Sequence, residues 1–133
     1  EFISMKRRYK ILIGLLIFII IIGITGFILI QKMNEKLDEV VLIPITSPDL
    51  SLIDDGIYEG SYQAIPIDVE VEVTIINHQI THIEIVKHVN GQGSDGEDVI
   101  DDVITNQNLD VDLVSGATYS SKVILLAILD ALS

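Results

Sequence analysis

The chain contains no cysteine and no tryptophan among its 133 residues. Without cysteine there is no disulfide framework, no thiolate metal site and no cysteine nucleophile. The absence does not choose a compartment, since extracytoplasmic bacterial domains often lack cysteine. Positive charge is also scarce: eight Lys and Arg stand against 20 Asp and Glu, a formal net charge of −12. Half of those cations (Lys6, Arg7, Arg8 and Lys10) form one short block. From Ile43 onward, 16 acidic residues face only Lys87 and Lys122, a balance of −14. Such a surface repels phosphate backbones, which excludes nucleic acid as a partner. The length allows two folding units at most, of which one can hold a core.

What the chain does have is a long uncharged run. Ile11 to Ile30 reads ILIGLLIFIIIIGITGFILI, twenty residues without a charge. As a helix this is about 30 Å long, the thickness of a bilayer's hydrocarbon core. A domain this small has nowhere to bury such a segment, so a membrane span is the expectation. A cleaved signal peptide would have a shorter apolar region ending in small residues. Here the run ends Phe27-Ile28-Leu29-Ile30-Gln31, which favours an uncleaved signal anchor. The basic block ahead of it predicts a cytoplasmic N-terminus and an acidic C-terminal part outside. Glu1 to Ser4, ahead of Met5, read as an expression remnant and are set aside.

The expected organisation is therefore a cytoplasmic N-terminus over 1–10, a transmembrane helix over 11–30, a spacer over 31–53 and a folded domain over 54–133. Gln31 to Leu42 has helix formers and can continue the membrane helix. Pro44 and Pro48 stop any helix beyond it, making Ile43 to Ile53 a tether. In the domain, Asp54-Asp55-Gly56 reads as a turn and Ile57 to Ala64 as a strand, with Gly60 breaking it at a bulge. Ile67 to Ile76 alternates cleanly, with Val69, Val71, Val73 and Ile75 on one face. Asn77-His78-Gln79 is read as the turn and Ile80 to His88 as the returning strand.

The hairpin register can be argued. A two-residue turn at Asn77-His78 would pair Val73 with His82 and Val71 with Glu84, placing polar groups on the apolar face. A three-residue turn pairs Val73 with Ile83 and Val71 with Ile85. Either a three-residue loop or a bulge near Thr81-His82 is required.

Beyond it, Ser94 and Glu97 have capping-box spacing and predict a helix with Val99, Ile100, Val103 and Ile104 buried. Asn106 to Asp112 is a polar exit. A last helix spans about Tyr119 to Leu132, and its apolar run from Val123 to Leu129 predicts central packing on the sheet. The expected fold is α+β: a small antiparallel sheet packed with two helices, preceded by one N-terminal transmembrane helix.

The junction VDLVSGATYSSKV, Val111 to Val123, sets four hydroxyls around a glycine and an alanine. An N-cap needs only one hydroxyl, from Thr118 or Ser120. A helix N-terminus also presents free N–H groups and partial positive charge, which suit a phosphate, and Gly116-Ala117 lets a bulky group approach. No glycine-rich loop with lysine is present, so a nucleoside triphosphate is not indicated.

At these residues the chain resembles a known family. Asp112-Leu113-Val114-Ser115-Gly116-Ala117-Thr118 matches all five fixed positions of the flavinylation motif of FMN-binding domains. Those domains occur in subunits of the sodium-pumping NADH:quinone oxidoreductase, in the related ferredoxin-linked complex and in small extracytoplasmic bacterial flavoproteins. The likeness extends to DGIYEG, to VEVTIINHQITHIEIVKH and to SSKVILLAILDAL, about Asp55 to Leu132. The hairpin departs from many relatives in having His78 where they have glycine.

The resemblance implies FMN joined to Thr118 by a phosphoester, attached by a separate flavin transferase with FAD as donor. It implies that Ser115, Gly116 and Ala117 admit the phosphate and that Asp112 is the motif's acidic member. Ser120, with His88, Gly91 and Gly93 of the loop after the hairpin, completes the expected cofactor-binding set. His88 reads equally as a solvated strand end. His78 and His82 read as surface residues, and Tyr119 as packed on its helix. No metal and no catalytic residue is expected. The function implied is a membrane-anchored electron-transfer flavoprotein served by membrane redox partners such as quinol-linked donors, rather than a stand-alone enzyme. Two alternatives stay open: a cofactor-free surface binding module in which the junction is only a cap, and a domain binding flavin noncovalently.

Overall fold

Chain propensity and prolines account for the first element. In the computed structural model, which describes residues 2–89 and 94–133, helix α1 runs over Phe2–Val41. It contains the uncharged run and is long and apolar enough to cross a bilayer. It stops at Val41, three residues before Pro44, whose rigid φ would forbid it. The chain forms two compact units, 1–35 and 36–133. Residues 36–53 thus fall in the same unit as the domain.

That second unit is built on one antiparallel sheet in the order β1-β2-β3, with β1 at Gly56–Ala64, β2 at Ile67–Ile76 and β3 at Gln79–Val89. Strand alternation puts Val69, Val71, Val73 and Ile75 on the inner face, each at most 1% exposed. The β2–β3 turn is the two-residue Asn77-His78, with φ of 52° and 60°. Both lie in the left-handed region that twists a two-residue hairpin correctly. Gln79, read as part of the turn, belongs to β3 and pairs with Ile76. The register is then corrected by a bulge: Ile75 pairs with Ile80 but Thr74 pairs with His82, leaving Thr81 over. Val73 and Val71 meet Ile83 and Ile85 as the apolar faces demand.

Gly60 does not break β1. The β1–β2 register runs unshifted from Gly56–Ile75 to Ala64–Ile67. The glycine serves the layer above instead. A Cβ there would overlap Ala127 O and Ala131 N and lie 2.7 Å from Ala131 Cα. The missing side chain lets helix α3, Thr118–Ala131, lie directly on β1.

Helix α2, Val99–Asn106, buries Val99 and Val103 and leaves Asp101 and Asp102 in solvent, following its predicted stripe. Its N-cap is Asp98, which makes no side-chain cap bond, so the anticipated Ser94–Glu97 box does not start it. A 3₁₀ turn over Ser94–Asp98 comes first. α3 is central, with Val123, Ile124, Ala127 and Ile128 at 0% exposure.

Both sheet edges are blunted, which protects open strands from pairing with other chains. On β1, Asp130 Oδ2 accepts from Ser61 N at 2.9 Å. On β3, the Gln107 amide mimics a strand: Oε1 accepts from Ile80 N at 2.7 Å and Nε2 donates to Ile80 O at 2.8 Å.

Residues 36–53 pack as a strap. Leu37 is 6% exposed in the core, and Val40, Ile45, Leu50 and Ile53 pack against it. Ser47 Oγ accepts from Leu109 N at 2.7 Å. His78 Nδ1, 3.0 Å from Ile53 O and 3.2 Å from Leu50 O, holds the strap from the hairpin turn.

Candidate functional site

The junction ahead of α3 folds as a tight turn. Ala117 N donates to Val114 O at 3.0 Å, and Gly116 has φ of 83°. That is the position where type II turns require glycine. Space around Gly116 is open: a Cβ there would meet nothing within 4 Å. Ser121 closes the turn from inside the helix. Its Oγ donates to Ala117 O at 2.6 Å and accepts from Val114 N at 3.1 Å.

The four hydroxyls are thereby sorted. Ser121 is 0% and Ser120 3% exposed, so neither faces water. Ser120 packs on the 3₁₀ turn, where a Cβ on Gly96 would lie 2.8 Å from Ser120 Cβ. Ser115 and Thr118 are exposed, as are Asp112 and Gly116. Thr118 is not the cap. It is the first residue of α3, and the N-cap is Ala117, which has no side chain able to serve. The first helical bond is Ser121 N to Ala117 O, 2.9 Å. The N–H groups of Thr118, Tyr119 and Ser120 therefore stand at the helix end without intrahelical partners, beside an exposed hydroxyl.

Charge makes that end the place for an anion. Lys87 is engaged by Asp68 at 2.7 Å, and that bond holds its pKa above the usual lysine value. Lys122 is 7% exposed and donates to Ile43 O of the strap. Desolvation pushes its pKa down. Tyr119 packs as read and its OH donates to Asp38 Oδ1 at 2.5 Å. This bond to a carboxylate, with burial and the negative charge, raises the phenol above its ordinary pKa. A cavity of about 350 Å³ elsewhere, on the outer sheet face, is walled by Glu59, Glu70, Glu72 and Asp130 and is electrostatically wrong for phosphate. Among the described residues, no group of three or more His, Asp or Glu could hold a metal ion.

His88 is not a solvated strand end. Its side chain is 9% exposed, and Nδ1 lies 3.1 Å from Glu97 Oε1. Its Nε2 is buried and has no hydrogen-bond partner among the described residues. The turn bearing Glu97 rests on Ser120 through Gly96, so His88 joins the same neighbourhood as the junction. Gly91 and Gly93 lie outside the described residues. Sequence reasoning missed Glu97, which was assigned to a cap, and Lys122 and Ser121, which look solvent-facing in a helix pattern. Only the all-round apolar context of α3 hinted that polar residues in its first turns would be buried.

An exposed hydroxyl at an uncapped helix end, a tight glycine turn and an orphaned buried ring nitrogen suit a phosphate-bearing, polar-edged cofactor. In agreement, the family model for the FMN-binding domain matches residues 66–133, from the β1–β2 turn to the last residue. The chain belongs to the FMN-binding domain family. No curated protein and no solved structure matches the chain.

Proposed function

We propose that the protein is a membrane-anchored extracytoplasmic flavoprotein that carries FMN covalently on Thr118 and relays electrons. The observation that carries the attachment is the sorting of hydroxyls. Ser120 and Ser121 are buried, whereas Thr118 is exposed beside helix N–H groups that have no intrahelical partner. In the loading step, Thr118 Oγ forms a bond to the FMN phosphorus of FAD as the pyrophosphate bond breaks. AMP leaves, and the hydroxyl proton passes to solvent or to a base of the flavin transferase. The N–H groups of Thr118, Tyr119 and Ser120 then hold the phosphoester, with the partial charge of the α3 N-terminus. Ser115 and Gly116 line the approach, and Asp112 is a contact for the transferase.

Bound FMN supplies one- or two-electron chemistry. This chain supplies position: a bilayer anchor at 11–30 and a cofactor that cannot diffuse away. The basic block at Lys6–Lys10 supports a cytoplasmic N-terminus and an outward-facing domain. Membrane redox partners such as quinol-linked donors fit that placement.

The test is intact mass and peptide mapping after coexpression with a flavin transferase. The wild type should carry FMN on the peptide containing Thr118, and Thr118→Val should carry none. The valine removes no cap bond and should change stability by no more than about 1 kcal/mol. FMN retained in Thr118→Val, or mapped to Ser115 in the wild type, overturns the assignment.

A further inference from the structure

A buried charge persists when a counter-charge and hydrogen bonds offset its desolvation. Lys122 has only the second. It is 7% exposed, and its ammonium donates to Ile43 O, an uncharged acceptor in the strap. Among the described residues, the carboxylates within ion-pair reach of a basic group are Asp68, on Lys87, and Glu97, beside His88. Burial pushes the Lys122 pKa down, and no neighbouring charge opposes that push. This is so although 16 acidic residues follow Ile43 and could have paired with it. The place of the lysine matters as much as its state. Lys122 comes four residues after Thr118 in α3, so the two share a helix face one turn apart, with Cβ atoms about 6 Å apart. Thr118 is exposed there and Lys122 is buried. Tyr119, next to Thr118, donates to Asp38 Oδ1 at 2.5 Å. The first turns of α3 are thus bonded twice to residues 38 and 43, beside the exposed hydroxyl.

We propose that a phosphoester on Thr118 supplies the counter-charge of Lys122, so that loading the cofactor fastens the strap to α3. The inference takes the source of the anion from the covalent reading above. The coupling between positions 118 and 122 does not depend on it. A phosphodiester carries one negative charge at neutral pH. One turn from Lys122, it favours the ammonium over the amine. The ammonium in turn makes a charge-assisted bond to Ile43 O, stronger than that of a neutral donor. No contact between phosphate and lysine is needed. Unit charges about 14 Å apart, at an effective dielectric of about 20, attract enough to shift an equilibrium several-fold. The effect is reciprocal: a docked strap holds a cation beside the acceptor and so favours an anion there.

The test reads opening of the strap by hydrogen exchange, in the full chain in a non-ionic detergent. The reporter is the Leu109 amide, which donates to Ser47 Oγ of the strap. The Val71 amide, in the central strand β2, monitors global unfolding. Loading by a flavin transferase should slow exchange at Leu109 about fivefold relative to Val71. The same slowing should separate Thr118→Glu from Thr118→Gln, a pair that sets a charge at the acceptor position without any transferase. Lys122→Gln keeps an N–H donor, loses the charge and should abolish both differences. Lys122→Met replaces it if that variant does not fold. Lys122→Arg, which retains the charge, should retain them. The helix dipole favours a glutamate at position 118 in every background, so only the part lost with the lysine charge counts. If the transferase loads nothing but Thr118→Glu slows exchange through Lys122, the covalent reading fails and the coupling stands. Loading that leaves Leu109 exchange unchanged, or protection that persists in folded Lys122→Gln or Lys122→Met, overturns the proposal.

Discussion

Two stretches of this chain are apolar on every side, and they meet opposite fates. In α1, the large apolar residues between Ile11 and Ile30 are 43–62% exposed. In α3, Val123 to Ile128 are 0–5% exposed. Helical periodicity is silent in both, because neither has a polar face. Length separates them. The short run of α3 is covered by β1, β2, α2 and the 3₁₀ turn. The twenty-residue run has more apolar surface than a domain of about 80 residues can cover, and its helix is long and apolar enough to cross a bilayer.

The sharpest way to break the comparison is through glycine. Gly60→Val puts a branched side chain where even a Cβ overlaps the α3 backbone at Ala127 and Ala131. α3 would have to leave β1, at a cost of about 4 kcal/mol or more. Gly14→Val, with nothing within 4 Å of its Cβ, should leave the unfolding of the domain unchanged. Urea titration of the full chain in detergent, followed by circular dichroism, reads both. Equal effects would show that α3 is not seated on β1.

A second pair removes equal volume from each stretch. Ile124→Ala, at 0% exposure, should cost about 3 kcal/mol through lost burial and the cavity left. Ile20→Ala, at 51% exposure, should stay within about 0.5 kcal/mol in the same assay. A large loss at Ile20 would mean that the domain covers that residue after all.

The smallest effect concerns the bond between Tyr119 on α3 and Asp38 in the last turn of α1. Its folded pKa is raised, so the phenol's contribution is complete below the ordinary tyrosine value, near 10. It is lost as pH rises through the higher folded value. Tyr119→Phe should therefore lower the urea midpoint slightly at pH 8 and match the wild type once both phenol states are ionised. Lys122 has the opposite sign. Burial disfavours its charged form, so its penalty is relieved as pH rises towards the ordinary lysine value. A wild-type and Tyr119→Phe difference that stays constant from pH 8 to pH 11 would detach the Tyr119–Asp38 bond from this ionisation.

Much of the molecule was legible because its signals are local. The uncharged run, the prolines after it, the alternation of β2 and the stripe of α2 each report on neighbours a few residues apart. The hairpin is the clearest case. Matching apolar faces required either a longer loop or an extra residue near Thr81, and the strand pairing has the extra residue. The seven residues from Asp112 to Thr118, in the order of elements around them, pointed to the family, which the match over residues 66–133 bears out.

The rest depended on which surfaces meet once the layers assemble. Gly60 reads as a bulge until α3 is seen to lie on it. Glu97 reads as a cap until β3 brings His88 beside it, and residues 43–53 read as a tether until Lys122 and His78 hold their carbonyls. The hydroxyls are equivalent in one dimension and divide into buried and exposed only when the 3₁₀ turn covers Ser120. Ser61 with Asp130, Lys122 with Ile43 and Tyr119 with Asp38 join residues 69, 79 and 81 positions apart. Propensity and periodicity act over one or two turns of chain, so they determined the elements. Partners at such separations are chosen by packing, and packing alone decided which side chains of the motif face solvent and which nitrogen of His88 is left free.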